Sequence, residues 1–118
     1  MPDCIFCRIA RGELPARIVF ENNDVIAFDD VSPQAPVHTL VIPKSHYVNL
    51  EDDVPTSLLG ELFAAARDVA RIKGVAESGY RVIVNNGPDA GQTVQHLHIH
   101  VMGGRHMSHG MVVFSPGS

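Results

Sequence analysis

The sequence predicts an α+β domain in which a mostly antiparallel five-stranded sheet packs against one long and one short helix. Three observations lead to this fold class. The segment from Pro55 to Lys73 carries apolar residues at helical spacing. Five short segments are rich in β-branched and apolar residues and are separated by turn residues. No internal repeat or interdomain linker interrupts the 118 residues, a length typical of a single domain.

The first elements are a short helix and a hairpin. Ile5 to Arg11 favours a helix that ends at Gly12. Arg17 to Glu21 and Val25 to Asp29 are apolar and β-branched, which is typical of strands. The residues between them, 22–24, are Asn, Asn and Asp, which favour a tight turn. The two segments are therefore predicted to pair.

The middle of the chain predicts a strand and the long helix. Val31 to Pro36 holds two prolines and reads as a loop, and His38 to Ile42 is predicted as the third strand. Pro55 suits the first turn of the long helix. Gly74 suits the position just after its end. The apolar stripe of this helix is predicted to pack into the core.

The last third of the chain predicts two strands joined by a loop. Tyr80 to Asn85 is the fourth strand, and Asn86 to Gln92 is a loop rich in Gly. Val94 to Met102 alternates strictly and predicts the fifth strand. The tail from 103 to 118 carries no predicted element, although we expect the whole chain, 1–118, to be one domain.

Composition and charge exclude several classes of protein. A hydrophobic content of 45% with 19% charged residues is ordinary for a globular domain, so a disordered chain or a coiled coil is excluded. The net charge of −4 and the lack of a basic stripe argue against nucleic-acid binding. The longest apolar run, residues 62–66, is far too short to cross a membrane. The first residues lack a secretory signal pattern, so we expect a cytoplasmic protein with no membrane partner.

The fifth predicted strand carries three histidines. His96, His98 and His100 occupy every second position, so they are expected to share one face, about 6.5–7 Å apart per step. The apolar residues that alternate with them face the core. A neutral imidazole can attack phosphorus from one ring nitrogen while the other donates its proton to a fixed acceptor, for which we expect a backbone carbonyl.

The loop before this strand predicts a phosphate site. It is not a P-loop, because it has no Lys and no helix follows it, and it is not a dinucleotide fingerprint. A Gly-rich turn can still present backbone N–H groups to an anion. Gln92 and Thr93 add side-chain donors.

The two cysteines, Cys4 and Cys7, form a C-x-x-C pair near the N-terminus. Without an export signal, a structural disulfide is not expected. A thioredoxin-like redox pair needs a preceding strand, which is absent here. Half of a metal site fits better, and two further ligands are then needed.

The His-φ-His-φ-His-φ-φ pattern of residues 96–102, in which φ is apolar, follows the Gly-rich loop and resembles the histidine-triad (HIT) family. The resemblance covers Ile5 to Met107. Segments 28–36, 41–44 and 103–107 are similar to its Hint branch. The resemblance implies a homodimer with one continuous sheet, a purine-nucleotide pocket, hydrolysis of nucleoside 5′-phosphoramidates such as adenosine phosphoramidate, and no organic cofactor.

The resemblance also implies roles for individual residues. His98 is the nucleophile, His100 binds phosphate oxygens, His38 supports the catalytic histidine, and Thr93 contacts the leaving group or the phosphate. Asp30 holds the ribose hydroxyls. The other nucleotide-binding residues are Asn85, Gly91, Gln92, Val31, Ile5, Phe6, Ile9, Leu14 and Leu40. For the apolar members of this set, core packing is the alternative.

A structural zinc site is the last implication of the resemblance. The four ligands it implies are Cys4, Cys7, His46 and His96. His106 and His109 are rival ligands, and a reduced, metal-free C-x-x-C is the alternative state. The tail from Ser108 to Phe114 departs from the Hint branch, so the preference for a leaving group stays open.

Three other functions remain open at this point. A Fhit-like dinucleoside polyphosphate hydrolase shares the Gly-rich loop. A zinc hydrolase can use two histidines of one strand and keep an open position for water. A nucleotide- or partner-binding module with little turnover needs the same pocket.

Overall fold

The computed structural model describes residues 4–108. Its elements are helix α1 (Ile5–Ala10), strands β1 (Ile18–Glu21), β2 (Val25–Asp29) and β3 (Val37–Pro43), helix α2 (Thr56–Ile72), strand β4 (Tyr80–Ile83), a 3-10 turn (Pro88–Ala90) and strand β5 (Ile99–Gly103). The five strands form one antiparallel sheet in the order β1-β2-β3-β5-β4. The predicted α+β fold class is confirmed. In the described part of the chain, no helix is long and apolar enough to cross a membrane.

Helix α2 covers one face of the sheet. It begins one residue after Pro55, and Gly74, with φ +75°, follows its end as predicted. Its buried stripe, Leu62, Ala65, Ala66, Val69 and Ala70, packs against alternate residues of the central strands. This contact forms the larger of two apolar cores.

Helix α1 covers the opposite face. Phe6 of this helix is buried against Phe28 and Leu40, which belong to β2 and β3. The rings of Phe6 and Phe28 meet edge to face with centroids 5.5 Å apart. Because both faces of β2 are covered, its residues 25–28 are all buried.

The predicted last strand, Val94 to Met102, is too long: β5 begins at Ile99. Ile99 is the first residue of β5 and pairs with Val41 of β3. Before Ile99 the backbone makes hydrogen bonds outside the sheet, since the Leu97 amide donates to the Tyr47 carbonyl at 2.7 Å. The strand predicted to end at Asn85 stops at Ile83, where its pairing with β5 ends opposite His100.

Candidate active site and metal centre

Six aromatic rings form a continuous row on the sheet face that α1 covers. Along the row they are His38, His100, His98, Phe6, His96 and His46. Neighbouring ring centroids lie 5.0–5.9 Å apart. The three histidines of the motif are buried, with at most 3% of their surface exposed. They share one face as expected, although only His100 lies within β5.

The orientation of His98 follows from one hydrogen bond. Its Nδ1 lies 2.7 Å from the carbonyl oxygen of His96. A carbonyl only accepts, so Nδ1 carries the proton and Nε2 holds the lone pair. The backbone acceptor that the sequence could not name is therefore the carbonyl of His96, two residues earlier in the chain.

His38 and His100 form a second hydrogen-bonded pair. The amide of Gln34 donates to His38 Nδ1 at 2.9 Å, so in neutral His38 the proton lies on Nε2. His38 Nε2 lies 2.9 Å from His100 Nδ1 and 3.4 Å from Asp30 Oδ2. Burial lowers the pKa of His100 to about 3. Burial also lowers the pKa of His38, against the charge of Asp30, so we infer that both rings are neutral at neutral pH.

The trio of Asp30, His38 and His100 has the residue types of a metal site, but its spacing suits a proton. Two imidazole nitrogens on one tetrahedral zinc ion are about 3.3 Å apart, because each Zn–N bond is about 2.0–2.1 Å long. The two rings here approach to 2.9 Å, a hydrogen-bond distance. The trio is therefore better described as a proton-sharing group.

A second group has the geometry of a closed metal site. The ligand atoms of Cys4, Cys7, His46 and His96 all lie within 4.8 Å of one another. Cys7 Sγ is 3.2 Å from His46 Nδ1, and the two thiols lie 3.3 and 3.5 Å from His96 Nδ1. Sulfur and nitrogen on one tetrahedral zinc ion are about 3.5 Å apart. Helix α1 brings the cysteines together, because Cys4 lies at its N-terminal end and Cys7 one turn later.

The bonds around His96 suit a metal ligand. Its Nε2 donates to the Pro43 carbonyl at 2.8 Å, which directs the lone pair of Nδ1 towards the thiols. Burial lowers the pKa of His96 to about 4, so the ring is in the neutral form that metal binding needs. Of the two rival ligands, His106 lies outside this group, and His109 is outside the described residues.

A cavity of about 890 Å³ opens beside the row, between α1 and the ends of β2 and β3. The six predicted apolar wall residues all line it: Ile5, Phe6, Ile9, Leu14, Val31 and Leu40. Asp30 and His38 line it as well. The cavity thus runs from an apolar wall to buried polar groups, as small-molecule sites do.

The comparisons identify the family. The family model described as HIT domain matches residues 11–107. The chain belongs to the HIT family. An uncharacterized 13.2 kDa HIT-like protein of Azospirillum brasilense is 49% identical to it over 109 residues, which cover 90% of this chain and 89% of the relative.

Solved structures of HIT proteins share the fold. A HIT family hydrolase from Clostridium thermocellum is 44% identical, with a TM-score of 0.88 over 95% of this chain and 99% of that one. A histidine triad nucleotide-binding protein from Candida albicans is 31% identical, with a TM-score of 0.84 over 98% and 85%. A Zn-bound histidine triad family protein from Mycobacterium smegmatis is 35% identical, with a TM-score of 0.80 over 88% and 76%.

The Gly-rich loop of this HIT protein lies apart from the cavity wall. Six predicted nucleotide-binding residues are not among the described residues that line the cavity: Asn85, Gly91, Gln92, Thr93, His98 and His100. The Gln92 side chain closes the loop, because its Nε2 donates to the Val48 carbonyl at 2.7 Å and its Oε1 accepts from the Gly87 amide at 2.9 Å. We therefore assign Gln92 a role in holding the loop, in place of the expected side-chain donor to phosphate. Thr93 is exposed.

Three charged residues that line the HIT cavity were missed in the sequence. Lys73, at the end of α2, binds both carboxylate oxygens of Asp29 at 3.0 and 3.1 Å, and Arg17 lies at the same wall. Asp29 also accepts from Thr39 Oγ1 at 2.9 Å. These contacts fix the end of β2, from which Asp30 follows directly. No local pattern connects Lys73 with Asp29, which are 44 residues apart.

Proposed function

We propose that this protein hydrolyses purine nucleoside 5′-phosphoramidates, such as adenosine phosphoramidate, through a covalent nucleotidyl intermediate on His98. The observation that carries the proposal is the hydrogen bond of 2.7 Å from His98 Nδ1 to the His96 carbonyl. It leaves Nε2 with the lone pair that must attack phosphorus. The coarser statement, a HIT family hydrolase-like protein, already follows from the family match and from the hydrolase structures.

The proposed reaction has two displacements. In the first, His98 Nε2 forms a bond to phosphorus while the phosphorus–nitrogen bond breaks, and the nitrogen leaves as an amine after taking up a proton from solvent. The ring of His98 then carries a positive charge, which the His96 carbonyl stabilises through Nδ1–H. In the second, water forms a bond to phosphorus while the bond to His98 Nε2 breaks, which releases the nucleoside monophosphate, returns one proton to solvent and restores neutral His98.

His100 has a separate role in this scheme. Its Nδ1 accepts from His38, so the proton of its neutral ring lies on Nε2. We propose that this N–H donates to a nonbridging phosphate oxygen, on which charge develops during the displacement. Thr93 is proposed to contact the leaving group.

The cavity is proposed to hold the nucleoside. Its apolar wall suits a purine base, and the buried carboxylate of Asp30 suits two ribose hydroxyls. The nucleotide-binding protein from Candida albicans, which shares the fold, supports this proposal.

The metal group is proposed to hold a structural zinc ion. Four protein ligands close a tetrahedron and leave no position for water, unlike a catalytic zinc site. The Zn-bound relative from Mycobacterium smegmatis supports the assignment. When bound, the ion would fix α1, which forms the apolar wall, against the segment that carries His96 and His98. Reduced thiols suit the cytoplasm, where we propose that the protein resides.

A homodimer completes the proposal. In the sheet formed by residues 4–108, strand β4 lies at an edge, and its Tyr80 and Val82 are each 36% exposed. Phe63 of α2 is also exposed. An unpaired apolar edge favours association, and pairing with a second copy would join two sheets into one. We propose that the protein belongs to the Hint branch, because its segment 103–107 is similar to that branch.

The variant His98→Asn tests the proposal. It should fold and bind adenosine monophosphate but lose more than about 10³-fold in kcat, because no neighbouring group replaces the attacking nitrogen. His106→Asn, which changes an exposed histidine outside the site, is the matched control and should keep full activity. Activity of His98→Asn within about tenfold of wild type would contradict the assignment. Faster turnover of a diadenosine polyphosphate than of adenosine phosphoramidate would instead indicate the Fhit-like activity.

A further inference from the structure

We infer that the backbone amide of Gln34 is a positioning group for the phosphate site, because it fixes the tautomers of His38 and His100, and that Arg105 holds this amide in place. The inference rests on the proposed function for the role of His100 in binding phosphate. The hydrogen bonds that carry it are independent of any reaction.

The first step is the bond from the Gln34 amide to His38 Nδ1, at 2.9 Å. A backbone N–H only donates, so it selects the ring form in which Nδ1 carries a lone pair and no proton. In the other tautomer, two N–H groups would face each other at this distance. The proton of His38 is therefore held on Nε2, inside the protein, where 0% of the side chain is exposed.

In the second step, the tautomer of His38 determines the tautomer of His100. His38 Nε2 lies 2.9 Å from His100 Nδ1, so a proton on the first nitrogen requires a lone pair on the second. The proton of neutral His100 is then on Nε2. Phosphate oxygens accept and do not donate, so only this tautomer of His100 offers them a hydrogen bond.

The third step concerns what holds Gln34. Arg105 Nη2 donates to the Gln34 carbonyl at 3.1 Å. Gly104, with φ +95°, lets the chain pass close to Pro36, because an added Cβ would lie 2.9 Å from the Pro36 Cβ. Gln34 lies in the loop that joins β2 to β3, and at the start of this loop the Ser32 amide donates to Asp30 Oδ1 at 2.8 Å.

These contacts give the Gly103-Gly104-Arg105 segment a physical role. It begins with Gly103, the last residue of β5, the strand that carries His100. Through its bond to the Gln34 carbonyl, Arg105 links the loop whose amide sets the tautomer of His38 to the end of the strand that carries His100.

The side-chain ¹⁵N spectrum of the wild-type protein tests the inference without any turnover. Its chemical shifts report which ring nitrogen is protonated in each histidine. We expect His38 and His100 as Nε2–H forms at neutral pH. A His100 ring protonated on Nδ1, or one that exchanges between both tautomers, would overturn the inference.

Two variants at one position separate the amide from the side chain. Gln34→Pro removes the N–H, whereas Gln34→Ala keeps it and is the matched control. We expect Gln34→Pro to lower kcat about tenfold, with KM changed less than about threefold, and to release the Nδ1–H tautomer of His100. Gln34→Ala should stay within about twofold of wild type in kcat. Equal kcat values for both variants would refute the role of the amide.

Arg105 gives a second, milder perturbation in case Gln34→Pro does not fold. Arg105→Ala should lower kcat a few-fold and populate the second tautomer of His100, and Arg105→Lys should restore both in part. An Arg105→Ala variant with an unchanged ¹⁵N spectrum would refute the role of Arg105. Lack of turnover in the wild type would refute the proposed function alone, because the tautomers are measured without substrate.

Discussion

Removing the two thiols of the metal group should destabilise the protein without abolishing its fold. Cys4 and Cys7 belong to α1 and its N-terminal end, whereas His46 and His96 follow β3 and precede β5. A bound ion therefore joins the short helix to the sheet. In a Cys4→Ser/Cys7→Ser variant this link is lost, but Phe6 remains buried against the second apolar core.

The size of the effect depends on how tightly the site binds the ion. The sulfur–nitrogen distances of 3.2–3.5 Å already match a tetrahedral zinc site, so binding needs little rearrangement. A ligand at about 1,000 times its Kd adds about 4 kcal/mol to the free energy of unfolding. For a domain of this size, about 4 °C per kcal/mol converts this to a fall in Tm of about 15 °C when the metal is lost.

Thermal unfolding followed by circular dichroism measures the change, with and without a chelator, and metal analysis gives the zinc content. We expect chelation to lower the Tm of the wild type and to leave that of the double variant unchanged. His106→Asn, the control, should keep both zinc and Tm. At low temperature the double variant should still react. Wild-type protein that is free of zinc after expression in zinc-replete medium, with its thiols reduced, would refute the site.

Three further predictions follow from burial, exposure and charge. Stability should fall from pH 7 to pH 5, because the unfolded state takes up a proton that folded His100, with a pKa of about 3, does not. This costs about 2 kcal/mol at pH 5, and a flat profile of urea midpoints would contradict it. Sedimentation should show a dimer at micromolar concentration and a monomer for Val82→Glu, and a monomeric wild type would refute the dimer. Asp30→Asn should raise KM about tenfold with kcat nearly unchanged, whereas a fall in kcat alone would exclude a ribose role for Asp30.

The sequence predicted those features that depend on local periodicity. The stripe of α2 could be predicted because its residues recur every three or four positions. Its members Leu62, Ala66, Val69 and Ala70 are buried against the sheet, whereas Phe63, which the same spacing includes, is exposed. The common face of His96, His98 and His100 could be predicted because the three histidines occupy every second position. The alternating pattern starts at Val94, although the strand itself begins at Ile99. The pattern does not mark the start of the strand, because strand pairing depends on partners elsewhere in the chain.

Features that depend on contacts between distant segments, or on the exact path of the backbone, could not be predicted from the sequence. The pairing of Lys73 with Asp29, for example, joins the end of α2 to β2. A backbone acceptor for the catalytic histidine was expected, but its identity as the His96 carbonyl depends on the bend before β5. The low pKa of His100 arises from burial under neighbouring elements. The role of Gln92 also changed, because its side chain bonds to the backbone of its own loop and of residue 48.

The central claim is that His98 forms a bond to phosphorus. Rapid mixing with adenosine phosphoramidate, an acid-free quench and mass spectrometry of the peptides tests it directly, with His98→Asn as the control. We expect a nucleotidyl adduct on the peptide that contains His98 in the wild type and none in the variant. Turnover without any adduct at early times, or an adduct on another histidine, would contradict the claim.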